Sequence, residues 1–103
     1  MPEYVFAEDG TIVQGDVRRI TAGGTALCVG RIESGEYFAI ADECTHEEIE
    51  LSDGELQGCE IECPAHGSRF NVVTGEVRGL PATVPVRVYP ISVRNGSIVV
   101  SVD

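Results

Sequence analysis

The sequence predicts an all-β fold, an antiparallel sandwich or barrel-like domain with two loops projecting at one end. Three observations carry this. Short runs rich in Val, Ile, Tyr, Phe and Thr recur along the chain, bounded by Gly, Pro, Asn and Asp. No segment of ten residues shows helical periodicity. Near the end of the chain, Asn95-Gly96 stands between two apolar runs, the strongest short signal for a two-residue hairpin turn.

Each element has a local reason. Residues 4–6, 11–13, 25–32 and 37–41 read as strands because β-branched and aromatic side chains dominate them and Gly-rich turns separate them. Glu33-Ser34-Gly35-Glu36 makes the turn between the last two. After a central stretch of loops, strands are predicted at 69–73, 76–78, 84–88 and 91–94. Asn95-Gly96 then folds 91–94 back onto 98–102. A chain of 103 residues supports one modest core, so residues 1–103 are read as a single domain.

Charge is concentrated in the middle of the chain. Seventeen acids oppose seven basic residues, all Arg, for a formal net charge of −10. Between Arg31 and Arg69 there is no base, yet Glu33, Glu36, Asp42, Glu43, Glu47, Glu48, Glu50, Asp53, Glu55, Glu60 and Glu62 all lie there. Nucleic acid and anionic membranes are therefore excluded as expected partners. The first ten residues have neither a basic nor an apolar signal region, and no apolar tract is long enough to span a bilayer. A soluble cytoplasmic protein is expected.

In a reducing compartment, cysteines point to metal more than to disulfides. The chain has four cysteines and two histidines, and both histidines sit beside a cysteine: Cys44-Thr45-His46 and Cys63-Pro64-Ala65-His66. Two thiolates and two imidazoles on two short loops can converge on metal if the intervening segment returns on itself. Within that segment, Leu51-Ser52-Asp53-Gly54-Glu55-Leu56 offers an Asp-Gly turn. The spacing leaves the metal open. Cys2His2 is a zinc set, but structural zinc sites usually group like ligands, whereas mixed Cys/His pairs also suit a binuclear iron–sulfur centre.

Cys44-Thr45-His46 together with Cys63-Pro64-Ala65-His66-Gly67-Ser68-Arg69-Phe70 resembles the Rieske iron–sulfur signature, above all that of small ferredoxins serving bacterial aromatic-ring-hydroxylating dioxygenases. The likeness extends through Asn71-Val72-Val73-Thr74-Gly75-Glu76-Val77 and Gly79-Leu80-Pro81-Ala82, the latter similar to a third, proline-containing loop that covers the cluster. The resemblance implies a Rieske fold holding one Rieske-type 2Fe-2S cluster. Cys44 and Cys63 would then ligate the inner iron, and His46 and His66 the outer iron. It further implies a non-enzymatic, monomeric one-electron carrier between a flavin-containing NADH-dependent reductase and a terminal ring-hydroxylating oxygenase.

The departures from the high-potential branch bear on the potential. Ile49 and Ala65 stand where those relatives carry a disulfide, which implies the low end of the range of about −150 to +300 mV. Ser68 stands where a hydroxyl donates to a cluster sulfide and raises the potential, while Phe70 replaces a second donor, Tyr. Cys28 is expected to be a buried thiol and Cys59 a non-ligand on one strand face with Ile61 and Cys63. Glu47, Glu48, Glu50, Glu60 and Glu62 bracket the ligand pairs as a candidate docking face. The alternatives are a small Rieske-like subunit of an assimilatory nitrite reductase and, from another class, a zinc-stabilised interaction module. The histidines are already used as ligands and no G-x-G-x-x-G motif is present, so neither a mononuclear iron triad nor a dinucleotide site is expected.

Overall fold

The computed structural model describes residues 2–45, 49–65, 67–80 and 82–102. Among the described residues ten strands form three antiparallel sheets: β1 (Glu3–Glu8), β2 (Val17–Ala22), β3 (Thr25–Arg31), β4 (Tyr37–Ala41), β5 (Glu55–Gln57), β6 (Glu60–Glu62), β7 (Arg69–Asn71), β8 (Val77–Gly79), β9 (Ile91–Arg94) and β10 (Ser97–Ser101). The first sheet has the order β1-β10-β9, the second β2-β3-β4 and the third β5-β6-β7-β8.

The second sheet is the shared wall of two cores. Side chains alternate along a strand, so Leu27 and Val29 of β3 face one way and Cys28 the other. Leu27 and Val29, with Ala39 of β4, join Ile98 and Val100 of the first sheet, capped by Ile12 and Tyr89. Cys28, with Phe38 and Ile40 of β4, joins Ile61 and Phe70 of the third sheet. Cross-strand register keeps the faces matched, Cys28 opposite Ile40 and Val29 opposite Ala39. Coverage on both sides explains why residues 27–30 are buried without interruption and read as one apolar run.

Four features depart from the sequence reading. Residues 11–13 are not a strand: Thr11 N–H turns back to the Glu8 carbonyl at 3.1 Å, and Ile12 plugs the first core from a loop. Residues 84–88 contribute a single bridge, Val88 to Ile40, because Pro85 has no N–H to continue a ladder. β2 is a strand that apolar patterning does not announce, since Val-Arg-Arg-Ile-Thr-Ala lies at the edge of its sheet with both arginines exposed.

The return between the two Cys/His pairs is the fourth. Leu51–Asp53 form one 3-10 turn, and the hairpin is made by Gly58-Cys59 between β5 and β6. Gly54 is required for a different reason: a Cβ there would collide with the Glu62 carbonyl oxygen. The Asn95-Gly96 hairpin forms as read, with φ of 51° and 79° at its two residues, the left-handed pair a type I′ turn demands.

Candidate metal centre

The two candidate loops leave different sheets and end in the same core. The first follows β4 of the second sheet and reaches the 3-10 turn; the second connects β6 to β7 within the third sheet. Each opens with its cysteine, and both cysteines are buried, at 2% exposure, among Leu51, Ile61, Phe70, Val72 and Ala82. The thiols are free of disulfides.

The loops are closed alike. Cys44 N–H donates to the Ile49 carbonyl at 2.9 Å, and Cys63 N–H donates to the Ser68 carbonyl at 2.7 Å, each five residues on. Gly67 N–H also returns to the Cys63 carbonyl at 3.2 Å. Each rung pins the backbone on both sides of a short polar excursion and fixes where the thiol points.

A third segment ties the two loops together. Buried Ser68 accepts a hydrogen bond from Ala82 N–H through its Oγ at 3.1 Å, leaving its own O–H proton for another acceptor. Thr45 Oγ donates to the Val84 carbonyl at 2.6 Å. Ala82 is buried, whereas Leu80 and Val84 on either side of it are strongly exposed apolar side chains. Thr45 was not singled out by sequence, although a hydroxyl between Cys44 and His46 is the natural place for such a tie.

Of the four predicted ligands, Cys44 and Cys63 are brought into one core. His46 and His66 lie outside the described residues, as do Glu47, Glu48 and Pro81. Cys28 is fully buried, and that burial, with the charge of Asp42, pushes its thiol well above the ordinary range, so it stays protonated. Cys59 sits in the hairpin turn, half-buried, its sulfur 3.7 Å from Asn71 Nδ2. Neither has the loop-opening position that Cys44 and Cys63 share.

The acidic middle is partly neutralised from outside it. Arg19 pairs with Asp42 at 3.4 Å and with Glu50; Arg69 with Glu60 at 3.7 Å and Glu62 at 3.8 Å; Arg78 with Glu60 at 3.7 Å. Three of the five acids read as a docking face, Glu50, Glu60 and Glu62, therefore spend their charge on neighbouring arginines. Linear spacing hid this, because β2, β7 and β8 bring those arginines in from either end of the acidic run.

The profile of the Rieske [2Fe-2S] domain matches residues 3–90. The chain belongs to the Rieske [2Fe-2S] family. It is 38% identical over 92 residues to the ferredoxin component of the naphthalene 1,2-dioxygenase system of Pseudomonas putida, covering 89% of this chain and 88% of that one. The ferredoxin of carbazole 1,9a-dioxygenase from Nocardioides aromaticivorans IC177 superposes with a TM-score of 0.92 at 31% identity, over 98% of both chains. One chain in the complex of reduced oxygenase and oxidized ferredoxin in carbazole 1,9a-dioxygenase superposes with a TM-score of 0.90 at 36% identity, over 95% of this chain and 100% of that one.

The donors described fit the family's group. An iron–sulfur cluster takes soft thiolates screened from water, and two buried thiols on matched loops, neither in a disulfide, supply them. This Rieske ferredoxin carries one Rieske-type 2Fe-2S cluster and is an electron-transfer protein, not itself a catalyst. Among the described residues no helix is long and apolar enough to cross a membrane.

Proposed function

We propose that this Rieske ferredoxin carries single electrons from a flavin-containing NADH-dependent reductase to a ring-hydroxylating oxygenase in aromatic hydrocarbon catabolism. In this reading residues 1–103 act as one domain, a monomer working in the cytoplasm. The relatives that support it are dioxygenase ferredoxins, which favours the carrier over the nitrite reductase subunit and the zinc module.

The observation that carries the site is the matched closure of the two cysteine loops in one core. Cys44 and Cys63 are assigned as ligands of one iron, and His46 and His66 as ligands of the other. When bound, the cluster supplies one-electron exchange. The chain's own residues do the rest: Leu51, Ile61, Phe70 and Val72 exclude water behind the thiols, and the Ser68 and Thr45 hydrogen bonds hold the third segment across both loops. Ile49 and Ala65 in place of a cysteine pair support a potential at the low end of the family's range.

Glu47 and Glu48, next to His46 in the sequence, are assigned the steering role. The test is a reconstituted chain of NADH, reductase, this protein and oxygenase, with aromatic product measured. Product formation should require this protein and fall when both Glu47 and Glu48 are reversed to Lys, most steeply at low salt. Product formation that is indifferent to the protein's presence would refute the carrier role.

A further inference from the structure

Among the described residues Asp42 is the one charged side chain in the buried set, and its carboxylate has no exposed area. Such a group is costly unless hydrogen-bonded. Both of its oxygens are spent on the same residue ten positions on: Oδ1 accepts the Ser52 N–H at 2.7 Å and Oδ2 accepts the Ser52 hydroxyl at 2.7 Å. Arg19 of β2 adds a third contact to Oδ2 at 3.4 Å and reaches Glu50 as well. The clasp encloses the Cys44 to Ile49 rung, so the first loop is closed twice, at residues 42 and 52 and again at 44 and 49.

Among the described residues the second loop shows no carboxylate clasp of this kind, and its ends are held otherwise. It joins neighbouring strands of one sheet, and the β6–β7 ladder already fixes its ends. The first loop passes from the second sheet to the third, where no ladder spans the gap. Beyond the backbone bonds of Asp42 N–H to Ala26 and Cys44 N–H to Ile49, its position relative to Cys63 rests on side chains.

We infer that Asp42, acting through Ser52 and Arg19, is a positioning residue that holds the first ligand loop in place against the second and thereby sets the cluster's spectroscopic signature and its retention. This rests on the reading of Cys44 and His46 as ligands. The clasp touches no iron; it fixes the backbone from which the Cys44 thiol projects. Losing it strands a buried acceptor and frees the loop base, a penalty that falls on ligand geometry before it falls on the fold.

The test uses the full-length holoprotein, with Asp42→Asn, Ser52→Ala, Ser52→Thr and, as a control in the far core, Ile98→Ala. The electron paramagnetic resonance spectrum of the reduced protein and the rate of iron release to a chelator are measured below the unfolding temperature of every variant. Asp42→Asn and Ser52→Ala should shift or broaden the signal and speed iron release by about tenfold. Ser52→Thr, which keeps the hydroxyl, should restore both, and Ile98→Ala should lower thermal stability with the signal unchanged. If Asp42→Asn does not fold, Ser52→Ala decides, since it removes one hydroxyl from a half-buried site. Wild-type spectra and release rates in Ser52→Ala, or an equal disturbance from Ile98→Ala, would overturn the clasp. Failure of the ligand reading looks different: the Rieske signal would survive Cys44→Ser.

Discussion

The two cores that share the second sheet are built by different means. The core facing the first sheet holds no cysteine and is lined by Ile12, Leu27, Val29, Ile98, Val100 and Val102 with Tyr89, between strands of four to seven residues on both walls. The core facing the third sheet contains Cys28, Cys44 and Cys63, and each strand of that sheet is three residues long. Ladders of four to six residue pairs hold the first region. Ladders of two or three pairs, single rungs, one clasp and two hydroxyl ties hold the second. Short strands leave the loops free to carry ligands, so the metal end depends on point contacts and on the metal itself, whose binding contributes to folding.

The largest test of that division removes a proposed ligand. Cys44→Ser or Cys63→Ser should abolish the cluster's visible absorption and iron content, while Cys59→Ser leaves both intact. An iron-loaded Cys63→Ser protein with unchanged absorption would break the comparison at its centre.

Next come the cores. Phe70→Ala in the metal end should cost about 3–5 kcal/mol and Ile98→Ala in the far core about 2–5 kcal/mol. Denaturant titration measures both. The difference lies in the second readout: Phe70→Ala should also lose cluster, whereas Ile98→Ala should keep it as long as the chain is folded. Equal cluster loss would mean that the two cores are one unit.

Ser68→Ala follows. It leaves the buried Ala82 N–H without its acceptor, a cost of about 1–3 kcal/mol in denaturant unfolding. The midpoint potential should also fall, since hydrogen bonds toward cluster sulfur raise it. A lowered stability with an unchanged midpoint would restrict Ser68 to tying the loops.

The smallest effect is expected at the far edge of the first sheet. The exposed Arg94 guanidinium donates a hydrogen bond to Glu3, with Ser101 behind it, and holds its carboxyl below the ordinary value of 4.5. A lowered folded-state pKa contributes stability above the unfolded value and loses it as pH falls through the folded one. Thermal melts of Glu3→Gln should match the wild type at acid pH and fall slightly below it at neutral pH, less so in high salt.

The same division governs what could be read from the sequence. Residues 25–32 and 37–41 were legible because buried strands are apolar and end in turn residues, and 91–94 because the Asn95-Gly96 turn follows it. β2 was not, since an edge strand with Arg18 and Arg19 outward carries little apolar signal. Residues 11–13 and 84–88 misled in the opposite direction: Thr-Ile-Val and Val-Pro-Val-Arg-Val are β-rich, but one is a loop plug and the other is interrupted by proline. At the metal end, Cys44, His46, Cys63 and His66 stood out by spacing. The contacts that tie the two cysteine loops did not, because Asp42 to Ser52, Ser68 to Ala82 and Thr45 to Val84 join residues far apart in the chain through ordinary polar side chains.

The central claim, a low-potential Rieske cluster held by these loops, is tested most directly by a redox titration of the purified protein followed by electron paramagnetic resonance. A Rieske-type signal is expected on one-electron reduction, with a midpoint toward the low end of the range of about −150 to +300 mV. A midpoint near the top of that range, or a colourless zinc-containing protein with no signal, would contradict it.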